Sequence, residues 1–384
     1  MEEKKLDEIR KEINNIDKDL LRLFVRRLEI VQDVAESKKA RGLPVFDPVR
    51  EREILSRVAG EVGPDLENEV SLFFSTMFSI SRSRQRETLS PEVSLRREIE
   101  AALEKAPENF PSRAAVACQG VEGAYSQQAA SILFKFPTIL YFNSFEDVFS
   151  AVEKGLCKYG ILPIENSAAG SVTSVYDIMA KHNFKIVKAL RLRIRHVLLA
   201  PPGVKMEDIK EVTSHPHAIA QCTNFFKAHP DIKANPYTNT AAAAKDLASS
   251  QRKDLAVIAS RSCAELYGLN VIAEDICDVQ SNYTRFICIS KETEIYHDAK
   301  KFSIVMSLAH RPGSLCGVMS KFASIGVNLT KLESRPVPGS DFEFMFIFDF
   351  EASPRDPRVL KLLSGFANDT SIEHFTFLGA YAED

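Results

Sequence analysis

The sequence has no Cys-X-X-Cys pair, no GxxxxGKS/T or GxGxxG pattern, no basic excess and no run of about 18 apolar residues. Each absence closes a class of function. Without the two glycine patterns there is no signature for a phosphate-cradling loop or a dinucleotide fold, and neither a metal nor an organic cofactor is implied. The formal charge of −3 argues against a general nucleic-acid binder, which shows a basic stripe. The seven cysteines are scattered and odd in number, which fits free buried thiols in a reducing cytosol better than disulfides or zinc. Met-Glu-Glu-Lys-Lys opens no apolar signal segment, so the expectation is a cytoplasmic protein with no membrane partner.

What is present changes character along the chain. At 384 residues, two to four domains are expected. Residues 1–90 read as helix throughout, 91–112 as a polar linker whose prolines flank a charged helical stretch, and 113–292 as short β-rich runs alternating with helical patterns. That alternation predicts an α/β unit with a mostly parallel sheet, in two lobes around a cleft. After a charged connector, residues 300–381 follow the order β-α-β-β-α-β of a ferredoxin-like α+β unit.

In the helical segment, Leu6, Ile9, Ile13, Ile16, Leu20 and Leu23 fall within a wedge of about 100° on one long helix, Leu6 to Arg41. Arg27 and Lys38 lie in the same wedge. Burying two unpaired cations costs several kcal/mol each, so an anion should meet them. Glu51 shares the face of Ile54, Leu55 and Val58 on a second helix, which Asp47 caps ahead of Pro48. Ser81 and Gln85 continue the face of Val70, Phe74, Met77 and Phe78 on a third. Arg10 lies about 100° around the helix from Arg27, which suits a pocket shared with a partner chain. A long helix beside two short ones cannot bury its stripe alone, and a dimer of interlocked long helices is expected.

Arg10, Arg27, Lys38, Asp47, Arg50, Glu51, Ser81 and Gln85 together resemble the active site of the all-helical chorismate mutases, a family of intertwined dimers. The resemblance implies that Arg10 of the partner, Arg27 and Arg50 hold the carboxylates of chorismate. It implies too that Lys38 and Gln85 donate to the ether oxygen, while Asp47 and Glu51 contact the hydroxyl and its neighbours, with Ser81 beside the substrate. A pericyclic rearrangement needs no nucleophile or general base. It needs the dianion folded and donors on an oxygen gaining negative charge.

Four short signatures mark the α/β segment: Gly120-Val-Glu-Gly-Ala-Tyr-Ser126, Pro163-Ile-Glu-Asn-Ser167, Ser214-His-Pro216 with Gln221 beyond, and Asn282-Tyr-Thr-Arg-Phe286. The first reads as a glycine turn into a helix N-terminus, and the next two follow strand ends, where α/β folds place ligands. In this order they resemble the prephenate dehydratases, a two-lobed fold related to type II periplasmic binding proteins. The resemblance makes Thr284 the catalytic candidate that helps the ring hydroxyl leave as water, with a protonated Glu165 as a second acid. It places Asn166, Ser167, Ser214, Gln221, Arg285 and Phe286 around prephenate, with Arg285 on a carboxylate. His217 stands where the family has glutamine.

Gly313-Ser314-Leu315-Cys316 and Glu333-Ser334-Arg335-Pro336 resemble the two motifs of ACT domains that sense phenylalanine. That resemblance implies an L-phenylalanine site from Gly313, Ser314, Leu315, Asn328, Glu333 and Ser334, with Glu333 facing the ammonium. In this order the three resemblances are those of the bifunctional chorismate mutase/prephenate dehydratase family with a C-terminal ACT domain, feedback-inhibited by L-phenylalanine. A homodimer or higher homo-oligomer is expected. Arogenate as the dehydratase substrate, or a ligand-sensing protein with one inactive site, are the alternative readings.

Overall fold

The computed structural model describes residues 6–89, 94–279, 281–336, 344–369 and 372–384, without the side chains of 87–89 and 180–181. The N-terminal segment is three helices, α1 (Leu6–Arg41), α2 (Pro48–Gly60) and α3 (Glu67–Leu89). α1 ends at Gly42, whose φ of 65° suits glycine, and Asp47 caps α2 by accepting from the Arg50 amide. Towards its C-terminal end α1 buries Val31 and Ala35, whereas Leu6, Ile9, Ile13, Ile16, Leu20 and Leu23 stay 39–61% exposed. The apolar wedge is formed and, within one chain, uncovered.

The helical stretch expected in the linker 91–112 is α4 (Ser94–Glu104), but it is not a solvated spacer. Its Leu95, Ile99 and Ala102 share one helical face and are buried in the core of the C-terminal unit, beside Phe302, Phe350 and Phe366. Charged residues on the opposite face hid this stripe from a reading by composition.

The α/β segment begins with β1 (Arg113–Gln119), α5 (Tyr125–Leu133), β2 (Phe136–Phe142), α6 (Phe145–Glu153), β3 (Tyr159–Asn166), β4 (Gly170–Ser171), α7 (Thr173–Lys181) and β5 (Lys185–Arg193). The chain then builds a second sheet with β6 (His196–Ala200), β7 (Glu211–Ser214), α8 (Pro216–Ala220), α9 (Thr223–Ala228), β8 (Lys233–Pro236), α10 (Thr240–Ala248), β9 (Leu255–Ser260), α11 (Ser262–Tyr267) and β10 (Asn270–Ala273). It returns to the first sheet as β11 (Tyr283–Ser290). β11 inserts between β3 and β5, antiparallel to both, and β6 runs antiparallel to β9 and β10. The sheets are therefore mixed rather than mostly parallel. A strand that crosses back from the other lobe needs no helical crossover, so it enters in the opposite sense.

The last segment is β12 (Lys301–Leu308), α12 (Ser314–Ser324), β13 (Asn328–Pro336), β14 (Phe344–Glu351), α13 (Pro357–Ala367) and β15 (Ile372–Glu383). Its antiparallel strands lie in the order β13-β14-β12-β15. Strand alternation serves two cores here. Ile304 and Met306 face the helices α4, α12 and α13, while Val305 packs with Ile347 and Leu378 against the first lobe. At its end β15 pairs in parallel with β5, Ala382 opposite Lys188 and Glu383 opposite Ala189, and this fuses the two units into one ten-stranded sheet in the order β13-β14-β12-β15-β5-β11-β3-β1-β2, with β4 on β3.

Gly379 makes that fusion sterically feasible. Its φ is 150°, and a Cβ there would sit 2.2 Å from the carbonyl oxygen of Ile186 on β5. Gly379→Ala is expected to cost about 2–4 kcal/mol, from overpacking and backbone strain together. A urea midpoint equal to that of the unsubstituted chain would contradict this.

Candidate active sites

Two sites can be built from these elements, and a third cluster separates residues that the sequence had grouped together. The first lies among the three helices. Arg27 donates to the hydroxyl of Ser81 on α3 and sits 5.7 Å over the Phe78 ring. Burial lowers the pKa of its guanidinium, and Glu51 opposes that shift. Lys38 donates to the Val45 carbonyl at 2.6 Å, across the α1–α2 turn. Gln85 is buried, and its Oε1 has no hydrogen-bond partner among the described residues. A buried amide left unmatched in this way calls for an explanation, and a polar ligand would supply one.

Arg82 was not foreseen. It takes both carboxylate oxygens of Glu51 and stacks 5.2 Å over Phe46. Its only sequence signal is its place next to Ser81. Arg50 turns outward to Glu53 at 3.3 Å, and Asp47 is committed to its cap. Arg10 is exposed beside Asp7 and lies about 25 Å along α1 from Arg27. One chain thus gathers Arg27, Glu51, Ser81 and Gln85, with Lys38 at the α1–α2 turn, and leaves Arg10 and Arg50 on the surface.

The second site is a cleft of about 690 Å³ between the lobes of the α/β unit. Thr284 on β11 lies opposite Asn166 on β3, and the Asn166 amide donates to Thr284 Oγ1 at 2.9 Å. Asn166 also donates to Asn282 at 2.8 Å, and Asn282 to Gln221 at 2.9 Å. The amides of Ala168 and Ala169 hold the Asn166 oxygen, so its NH2 is turned towards Thr284. A hydroxyl that accepts from Asn166 keeps its own proton to give. Asn166, Gln221, Thr284 and Phe286 all line this cleft.

Among the described residues, the cleft wall contains no lysine, arginine, aspartate or glutamate. Its polarity comes from the starts of α5, α7 and α10 (Ser126, Thr173, Thr240) and from His196, His215 and His217. Three nine-residue helices therefore begin at one space, and the first turns of α5 and α7 have no side-chain cap, an arrangement that favours anions. The turn at Gly123 (φ 89°) delivers α5, and a Cβ there would meet Cys263 Sγ at 2.9 Å. Asn239 caps α10 through the amides of Ala241 and Ala242. Thr173, Asn239 and His196 were missed because each looks like ordinary capping or strand chemistry until the two lobes are brought together.

Four other predicted residues are elsewhere. Successive residues on a strand face opposite sides, so Glu165 and Arg285, paired across β3 and β11, point away from Asn166 and Thr284. They line a separate cavity with Lys331 and Asp349. Arg285 binds Asp349 at 2.6 Å, Tyr381 at 2.7 Å and Glu383 at 2.9 Å, with Glu165 at 3.8 Å. Burial opposes its charge, but Tyr381, Asp349 and Glu383 outweigh burial and raise its pKa. Arg285 is thus held in a buried ionic cluster at the junction with β14 and β15, and Glu165 lies beside it, on the side of the sheet opposite Thr284. Ser214 is wholly buried, donating to the Ile258 carbonyl, and Ser167 accepts from the Tyr283 amide.

In the C-terminal unit, Gly313 (φ 83°) precedes α12, with Ser314 and Leu315 in its first turn. Asn328 and Ser334 are exposed on β13, whereas Glu333, on the half-buried side of the strand, accepts from Ser171 of β4 at 2.6 Å. Glu333 therefore does not share a face with Ser334, and within one chain its carboxylate is directed to the dehydratase segment.

His196 makes the cleft sensitive to acid. Burial brings its pKa from 6.5 to about 4, against a smaller opposing hydrogen bond from Gln221, and Tyr125 lies 3.3 Å from its Nδ1. The unfolded chain takes up this proton first, so stability should fall as pH drops from about 6.5 to about 4, by up to about 3 kcal/mol. His196→Gln should flatten that part of the stability curve, measured by urea midpoints. Superimposable curves would show that His196 is not the group responsible.

Comparison with known proteins finds a family for each of the two segments. Residues 116–294 match the prephenate dehydratase family, and residues 9–86 match chorismate mutase type II. Arogenate dehydratase 2 of Petunia hybrida is 40% identical over 292 residues, 71% of this chain and 73% of its own length. The chloroplastic arogenate dehydratase/prephenate dehydratase 2 of Arabidopsis thaliana is 39% identical over 287 residues, 71% of this chain and 74% of its own. Among solved structures, the prephenate dehydratase of Arthrobacter aurescens in complex with L-Phe superposes with a TM-score of 0.64 at 32% identity, covering 70% of this chain and 89% of that one. With a helical mutase segment ahead of its α/β unit, the chain belongs to the chorismate mutase/prephenate dehydratase family and carries an isomerase and a lyase domain.

Proposed function

We propose that the helical pocket rearranges chorismate to prephenate and that the interlobe cleft converts prephenate to phenylpyruvate. In the pocket, Arg27 meets a substrate carboxylate, while Lys38 and Gln85 donate to the ether oxygen as its C–O bond breaks. Glu51 and Ser81 stand around the remaining groups; Arg50 reaches a carboxylate only by turning in from Glu53, and Asp47 reaches the hydroxyl only by leaving its cap. Arg10 comes from a partner chain, a reading supported by its distance along α1 and by the uncovered stripe from Leu6 to Leu23. Interlocking two long helices would cover that stripe and complete both pockets.

The observation that carries the dehydratase reading is the Thr284–Asn166 pair, aimed at a cleft polarised by helix N-termini. The uncapped amides at the starts of α5 and α7 hold the prephenate dianion. Asn166 fixes the Thr284 oxygen, so the threonine proton points at the ring hydroxyl. As carbon dioxide leaves, the electron pair of its C–C bond aromatises the ring and the hydroxyl departs, protonated, as water. Gln221 and Asn282 keep Asn166 in register.

Likeness to plant proteins named arogenate dehydratases supports a second substrate reading. Arogenate carries an ammonium where prephenate has a keto group, and among the described residues no carboxylate lines the cleft to meet it. Prephenate is therefore the favoured substrate. The C-terminal unit, residues 300–381, is read as an ACT-type domain that binds L-phenylalanine near Gly313, Ser314 and Leu315 and lowers dehydratase activity. Its support is the β-α-β-β-α-β order and a homologue solved with L-Phe.

Purified full-length chain supplied with chorismate should release phenylpyruvate. Thr284→Val should reduce the second step at least about 100-fold and let prephenate accumulate, whereas Lys38→Ala should stop the first step and leave added prephenate a substrate. Phenylpyruvate formed at an undiminished rate by Thr284→Val would refute the cleft assignment.

A further inference from the structure

One strand of the C-terminal unit reaches the wall of the dehydratase cleft. Lys331, Glu333 and Arg335 alternate along the half-buried side of β13, which packs on β4 and the first turns of α7. Ser171 of β4 donates to Glu333 at 2.6 Å and accepts from Lys331 at 2.8 Å, and Lys331 and Glu333 pair at 3.1 Å. Two residues on, Arg335 donates to the Thr173 carbonyl at 2.8 Å and binds Asp177 of α7 at 2.9 Å. Lys331 also lies 5.1 Å over the ring of the buried Tyr176. Three consecutive same-side residues of one strand thus hold a stretch of about seven residues in the other unit.

That stretch forms part of the cleft. Gly170, Ser171, Val172, Thr173 and Ser174 line it on the side facing Thr284. Gly170 and Ser171 pair with Asn166 and Glu165 on β3, so β4 and the Thr284–Asn166 couple belong to one hydrogen-bonded unit. The Ser171 hydroxyl is committed to Glu333 and Lys331, so β4 and the start of α7 present backbone to the cleft. The first-turn amides of α7 are the donors a substrate carboxylate would use, and their direction depends on where β4 is held. A β4 segment of two paired residues has little rigidity of its own.

We propose that Lys331, Glu333 and Arg335 are positioning residues of the dehydratase: through Ser171 and Thr173 they hold β4 and the start of α7 where the cleft receives the substrate carboxylate. This rests on the reading of the cleft as the dehydratase site. The catalytic groups are complete without β13, so its removal should loosen substrate binding more than it slows the chemical step. A charge-assisted hydrogen bond lost at such a point corresponds to about a tenfold change.

The test is a double-mutant cycle in the full-length protein, with prephenate as substrate. Glu333→Ala and Ser171→Ala should each raise KM about tenfold with kcat changed less than about twofold, and the double variant should be no worse than Ser171→Ala, because the Ser171–Glu333 contact is lost in all three and Ser171→Ala already removes the Lys331 contact as well. Glu333→Gln should recover most of the loss, since its amide oxygen still accepts from Ser171. Mutase turnover and the thermal midpoint report folding and should not move. Unchanged KM in both Glu333→Ala and Glu333→Gln, or effects that multiply in the double variant, would overturn the proposal. So would a KM that rises only in step with a lowered thermal midpoint. Thr284→Val, assayed alongside, separates the outcomes. If it keeps activity, the cleft reading itself is wrong; if it loses activity while Glu333→Ala does not, only the positioning role falls.

Discussion

Alternation of two neighbouring residues on β11 governs the arrangement of the dehydratase half of the chain. Thr284 faces the interlobe cleft, and Arg285, one residue on, faces the opposite side of the same sheet. A guanidinium 7% exposed needs anions around it, and it has Asp349 of β14 and Glu383 of β15 within 3 Å. Glu383 in turn holds Lys301, at the start of β12. The strand that carries the candidate catalytic threonine is therefore anchored, by its next side chain, to three strands of the C-terminal unit. With β15 hydrogen-bonded to β5, catalytic and C-terminal segments share both a sheet and a charge cluster.

The helical segment is tied to the same unit at another point. Arg86 follows Gln85 on α3 and binds Asp369, just beyond α13, at 2.7 Å; Lys321 of α12 reaches the same carboxylate at 2.8 Å. α4, between the helical and α/β segments, is buried in the C-terminal core as well. The C-terminal unit thus touches one residue neighbouring the mutase pocket and a strand neighbouring the dehydratase cleft. For a domain read as the sensor of the final product, that is the contact pattern an effector preferring one state would need in order to bias both sites.

What the sequence disclosed depended on the range of the interaction. The start of α2 was legible because Asp47 and Pro48 act on their immediate neighbours. The stripe on α1 was legible from its period, and the pocket residues Arg27, Glu51, Ser81 and Gln85 followed because each interrupts an apolar face. The signature Asn282-Tyr-Thr-Arg-Phe286 located β11 but was read as one wall of one site, although a strand period of two assigns Thr284 and Arg285 to different sides. Glu165 falls on the side of Arg285 by the same alternation. Arg82, Ser171 and His196 were invisible because their partners lie far away in sequence, and α4 was read as a linker because its core belongs to residues some two hundred positions later.

Arg285→Met, assayed with prephenate together with a denaturant titration, tests the two-sided strand most directly. With Arg285 on the ionic side, losing its charge leaves Asp349 and Glu383 uncompensated, so stability should fall by about 3–5 kcal/mol while KM of the folded enzyme stays within about twofold. The opposite pattern, an unchanged denaturation midpoint with KM raised about a hundredfold, would put Arg285 on the substrate and contradict the division of β11 into a catalytic and a structural face.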